Sequence, residues 1–282
     1  MYEFEKKIIP GIRRVITIFY PLLFQIITFL SHNFLKILTF FYYLLLKLDW
    51  EKIPRTEWMD HDQDTFFQFN SNGNFLHFER GIIARLLVSN FFFSSNSYKQ
   101  KKVEKNLNIL DLCSGDSYIS QKFFFDCSNI IVSVDLDGVA LERGKKRLTR
   151  EKFLNRNHYF LQCDIEKETI NNLLKKKNLE KKFNLVLFNA AIEHFKFSQI
   201  KFILNSLKEV MSNDSLIFAY TLVEDKKKPN YLLEHHEMFF DDQFELERIF
   251  KKHFKKIRSF KTLVNGRSNI YLAASDNKDI NF

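Results

Sequence analysis

From residue 106 to 275 short apolar runs alternate with stretches of helical spacing, and few folds accommodate that alternation. Residues 108–112, 129–134, 158–162, 183–188 and 215–222 read as strands, and 256–262 and 269–273 as two more. Helical periodicity falls between them, over 138–148, 168–177, 198–211 (with Ser198 as N-cap) and 244–254. Strands joined through helices bury a sheet under crossover connections. The expected class is α/β: a doubly wound, seven-stranded, mostly parallel sheet, preceded by an apolar N-terminal helical segment.

The first four strands each deliver polar residues to their carboxyl ends, where an open α/β sheet binds its ligand. The first runs into Asp111-Leu112-Cys113-Ser114-Gly115-Asp116-Ser117, a tight turn before a helix. Gly115 lets the backbone approach a ligand with no Cβ in the way. The second ends at Asp135-Leu136-Asp137, where one carboxylate can accept from two adjacent ribose hydroxyls. The third ends at Cys163-Asp164-Ile165, within reach of an adenine amino group, and the fourth at Asn189-Ala190-Ala191-Ile192-Glu193-His194-Phe195. A single Asp after a strand is more often a helix cap; the ordered set of four polar strand ends points much more strongly to a ligand crevice.

At these residues the chain resembles the class I S-adenosylmethionine-dependent methyltransferases, which have a Rossmann-like fold. Their pattern is an acidic–x–Gly–x–Gly–x–Gly turn, an acidic residue after the second strand, an Asp after the third and often Glu-His after the fourth. The resemblance covers 106–222 in good register. It implies S-adenosylmethionine as cofactor, with Asp111, Cys113 and Gly115 in the methionine-side turn and Asp135 on the ribose. Leu136, Asp164 and Ile165 would meet the adenine, and Asn189 would stand at the mouth of the crevice. Cys113 and Ser117 replace two of the usual glycines, and both are small. The absence of GxGxxG disfavours a nicotinamide-linked enzyme.

Methyl transfer is an in-line displacement in which positioning does much of the work, and a hydroxyl acceptor also benefits from a base. The candidates are Glu193, His194, His235 and His236. Their plain alternative is a helix cap and packed imidazoles for the first pair, and a polar loop for the second. No metal is required on this reading. A second reading gives Glu193, His194 and one of the later histidines to a divalent metal, resembling the small-RNA 3′-terminal ribose methyltransferases. Ala190 stands where that group has its first Glu. A third reading is a non-catalytic, membrane-attached binding module.

Composition and the N-terminus bear on the acceptor. The net charge of +9 lies in scattered lysine runs that read as solvated surface; it leaves RNA open as a substrate, but the apolar N-terminus points away from nucleic acid. Three separated cysteines form neither a disulfide framework nor a zinc site and fit a reducing cytoplasm. Residues 15–31 carry no charge, 34–48 only Lys36 and Lys47, and Lys6, Lys7, Arg13 and Arg14 precede them. Two shallow helices broken at Ser31-His32-Asn33 would attach the protein to the inner membrane face with both ends cytoplasmic; the alternative is an apolar cap on the domain or in a dimer. The organisation read is 1–50 anchor, 51–105 connector and helical cap, 106–275 methyltransferase domain and 276–282 tail. A membrane surface as partner favours a small-molecule, glycan or lipid-linked acceptor.

Overall fold

The computed structural model describes residues 72–93, 107–150, 157–223, 236–264 and 267–280. The expected anchor at 1–50, most of the connector, and His235 lie outside the described residues. Among the described residues no helix is long and apolar enough to cross a membrane.

Seven strands form one sheet: β1 (Leu107–Leu112), β2 (Ser128–Asp135), β3 (Asn157–Gln162), β4 (Phe183–Asn189), β5 (Met211–Leu222), β6 (Lys256–Val264) and β7 (Arg267–Ser275). Their order is β3-β2-β1-β4-β5-β7-β6. The first five are parallel, and β7 inserts antiparallel between β5 and β6. The central strands read as continuous apolar runs because both of their faces are covered. On one face Leu110, Leu112, Val186 and Phe188 pack against α4 (Ile170–Lys176), α5 (Phe197–Val210) and α6 (Gln243–Phe250). On the other, Ile109, Leu185, Leu187 and Phe218 meet α1 (Asn72–Phe93), α2 (Tyr118–Phe124) and α3 (Gly138–Arg150).

Helix ends follow local chemistry more closely than apolar spacing does. Ser198 is not the cap of α5: Lys196 is, because Gln199 in the first turn turns back and accepts the Lys196 N–H at 2.5 Å. Helix α4 starts after Thr169, whose hydroxyl accepts from Asn172 N–H, and α6 after Asp242, whose carboxylate accepts from Glu245 N–H at 2.9 Å. Helix α6 ends at Phe250, four residues short of the apolar run.

The site is positioned by the approach of α3 to the β1–α2 turn. A Cβ on Gly144 would lie 2.4 Å from the backbone oxygen of Asp116, so only glycine permits this distance. Close approach lets Arg147, one turn further on, donate to the Asp116 carbonyl at 2.9 Å and form a buried ion pair with its carboxylate. Gln121 closes the set, donating to the Gly144 carbonyl at 2.9 Å and accepting from Arg147 at 3.3 Å. Overpacking against rigid backbone costs about 1–3 kcal/mol, which outweighs the roughly 1 kcal/mol of helix propensity that alanine adds. Gly144→Ala should therefore lower the urea midpoint of unfolding. A midpoint at or above that of the parent would show that α3 can slide away and that the contact does not set the turn.

Candidate active site

The β1–α2 turn carries three left-handed residues in alternation: Cys113 at φ 50°, Gly115 at φ 54° and Ser117 at φ 60°. These are the three glycine positions of the motif, so the backbone path survives although two of the glycines do not. The turn is held from both sides. Ser114 N–H donates to the Val134 carbonyl at 3.1 Å, Ser117 N–H to the Ser114 carbonyl at 2.8 Å, and Gly115 N–H to Asp135 Oδ2 at 2.7 Å. Asp135 Oδ1 meanwhile accepts from Asp137 N–H at 2.8 Å. Asp135 thus ties the turn to β2, a structural role not foreseen from its position after a strand. A carboxylate has about four acceptor sites, so each oxygen keeps one for a ligand. Burial raises the pKa of Asp135, opposed by the N–H groups of Asp137 and Gly115.

A cavity of about 300 Å³ opens beside this turn. It brings together six of the expected residues, Cys113, Asp135, Leu136, Asp164, Ile165 and His194, and adds Glu166, Phe195 and Glu237. Ile165 is buried, whereas Leu136 is left 61% exposed at the rim, an apolar side chain suited to being covered by a flat ring. Asp164 accepts from Lys167 Nζ at 2.6 Å and from Glu166 N–H at 3.1 Å, and the Lys167 hydrogen bond lowers its pKa.

Asp111 and Asn189 do not line the cavity. They occupy neighbouring strands, β1 and β4, and by alternation face the α1–α3 side together. Asp111 is 3% exposed, and its Oδ2 has no hydrogen-bond partner; neither has Oδ1 nor Nδ2 of Asn189. Burial pushes Asp111 up to about 7, helped by Asp135 and Asp116 and opposed by a hydrogen bond from Ser120. Buried polar atoms left unmet in this way mark a place where a polar, preferably cationic, group completes the site.

Past β4 the chain makes a 3₁₀ turn, Ile192–His194, after Ala190 at φ 50°. Glu193 is buried, and its Oε2 accepts from Thr221 Oγ at 3.0 Å. Its backbone carbonyl accepts from both Glu237 and Met238 N–H, at 2.8 and 3.0 Å, which pins the segment before α6 onto the turn. His236 is thereby set against His194, ring centroids 4.7 Å apart and near perpendicular. One ligating atom each from Glu193, His194 and His236 lies within 4.8 Å of the others, close enough for one cation. Three of the four candidate proton acceptors therefore converge, and His194 reaches the cavity wall.

Residues 103–263 match the family described as a methyltransferase domain. No curated protein matches the chain in sequence. Among solved structures, the chain resembles the N-methyltransferase NodS of Bradyrhizobium japonicum, in complex with S-adenosyl-L-homocysteine. The TM-score is 0.55 at 11% identity, over 82% of this chain and 97% of that one. It also resembles the magnesium protoporphyrin IX methyltransferase ChlM of Synechocystis with bound S-adenosylhomocysteine, at TM-score 0.50 and 10% identity, over 71% and 83%. Sheet order, turn and matched residues together make this chain a member of the class I S-adenosylmethionine-dependent methyltransferases.

Proposed function

We propose that this methyltransferase alkylates a hydroxyl oxygen of a small-molecule, glycan or lipid-linked acceptor, working at the cytoplasmic face of a membrane to which residues 15–48 attach it. The observation that carries the hydroxyl target is the convergence of Glu193, His194 and His236 at the end of the cofactor crevice. An amine acceptor has little need of such a cluster; a hydroxyl must lose its proton as the new bond forms. The membrane placement is supported by the uncharged run and the four cations before it. The RNA reading is weaker, because Ala190 offers no ligating atom where the small-RNA enzymes place their first carboxylate.

The residues present fit the donor. It supplies an electrophilic methyl group on a sulfonium sulfur. Asp111 Oδ2 and the Asn189 amide can take the ammonium and carboxylate of its methionine end, which are the kind of groups those orphaned atoms lack. Asp135 has acceptor capacity left for the ribose, and Leu136 and Ile165 flank the adenine while Asp164 accepts from its amino group. Asp164 must share its carboxylate with Lys167 to do so.

Two variants test these roles. Asp135→Ala removes both the ribose acceptor and the anchor of Gly115, and calorimetry should show donor affinity reduced at least tenfold. Unchanged affinity would overturn the assignment. Asp111→Asn tests the methionine end through pH. The unfolded Asp111 carboxyl releases its proton near its ordinary value of 3.8, but the folded one does so only near 7. Stability from this group is therefore present below pH 4, is lost as pH rises to 7, and changes no further above that. The Asn variant should accordingly be more stable than the parent at pH 8 by about 4 kcal/mol, with the gain fading toward pH 4. It should also bind the donor more weakly. Equal stability at both pH values would mean that Asp111 is solvated.

A further inference from the structure

The Glu193–His194–His236 cluster admits a more specific role than proton acceptance. We propose that these three side chains hold a divalent transition-metal cation, whose remaining positions bind an acceptor carrying two adjacent oxygens, a vicinal diol or an ortho-diphenol. The inference rests on the hydroxyl-methylating reading above and specifies how the cluster activates the hydroxyl.

The donor set comes first. Two imidazoles and one carboxylate suit manganese, iron, cobalt or zinc better than magnesium or calcium, which prefer all-oxygen sites. Metal–ligand bonds of about 2.0–2.2 Å put neighbouring ligands about 3 Å apart. The three atoms already lie within 4.8 Å of one another, and the two imidazoles are half-buried.

The framework is also prepared. The Glu193 carbonyl receives two backbone N–H groups from the residues directly after His236, so the two ligand-bearing segments cannot drift apart independently. The Thr221 hydroxyl orients the Glu193 carboxylate, as outer partners do in metal sites.

Three protein ligands leave positions open, as catalytic sites do and closed structural sites do not. His194 also lines the cofactor cavity, so a cation held by the cluster would sit at the edge of the crevice. A hydroxyl bound to the cation becomes a stronger acid and releases its proton to water. Its oxygen then bonds to the methyl carbon as the sulfur–carbon bond breaks, and that electron pair stays on sulfur as a thioether. The second, adjacent oxygen fixes which hydroxyl is presented.

The test uses the full chain, freed of metal with a chelator and titrated with Mn²⁺ and with Co²⁺, the latter followed by its visible absorption. One equivalent should bind. His236→Ala should weaken binding at least tenfold and alter the Co²⁺ spectrum, and Glu193→Gln should do the same, while both keep S-adenosylhomocysteine binding within about threefold of the parent. Substoichiometric binding by the parent, or parent-like affinity and spectrum in His236→Ala, overturns the metal site. Loss of S-adenosylhomocysteine binding by the parent itself would instead overturn the donor site. Catechol should be methylated in a Mn²⁺-dependent way; equally fast methylation of phenol, which lacks the second adjacent oxygen, would overturn the acceptor class.

Discussion

The donor crevice depends on one buried ion pair, Arg147 with Asp116. The turn beside it places side chains at two left-handed positions, Cys113 and Ser117, each at a cost of roughly 1–2 kcal/mol. Such backbone persists only where its surroundings over-determine it. Here Arg147 grips both the carboxylate and the carbonyl of Asp116, Asp135 takes the Gly115 N–H, and Val134 takes the Ser114 N–H. All of these holds come from β2 and α3. The β1–β2 pairing and the packing of α3 at Gly144 thus substitute for the two missing glycines.

This explains what could be read in advance and what could not. The seven strands were legible because a strand buried on both faces must be apolar throughout, and 183–188 or 129–134 admit little else. Their polar ends were legible because ligand chemistry restricts residue types there. Helix starts were not, since a cap depends on where a neighbouring side chain turns: Gln199 reaching Lys196 moved the start of α5 ahead of Ser198. Arg147 was invisible for another reason. It is a basic residue in an amphipathic helix, and nothing local distinguishes it from its solvated neighbours; only its separation of 31 residues from Asp116, closed by the fold, gives it a function.

The acceptor end shows the same limit. A Glu-His pair after β4 and a His-His pair before α6 can be noticed separately. Their meeting depends on the backbone carbonyl of Glu193 accepting two N–H groups from the far segment, a contact that any residue at 193 could make. Side-chain identity therefore says which chemistry is available, and backbone pairing decides that it converges. The same reasoning applies to Asp135, whose type suggested ribose binding while its position also anchors the turn.

The charge of the crevice runs opposite to that of the molecule. The chain carries +9 overall, yet Asp135, Asp164, Glu166 and Glu237 line the cavity, with Asp111 and Glu193 behind its walls. This acidic lining favours a cationic donor, and it has a second effect on Cys113, which shares the wall. A thiolate beside an electrophilic methyl group would be alkylated in place of the acceptor, because the thiolate is the nucleophilic form of cysteine. Burial, with Asp135, Asp111, Glu193 and Glu166 around it, holds the Cys113 thiol protonated well above its ordinary range. Burial first, and the carboxylates that attract the donor second, thus keep the turn's own sulfur protonated, which allows a cysteine to stand in place of a glycine at this position.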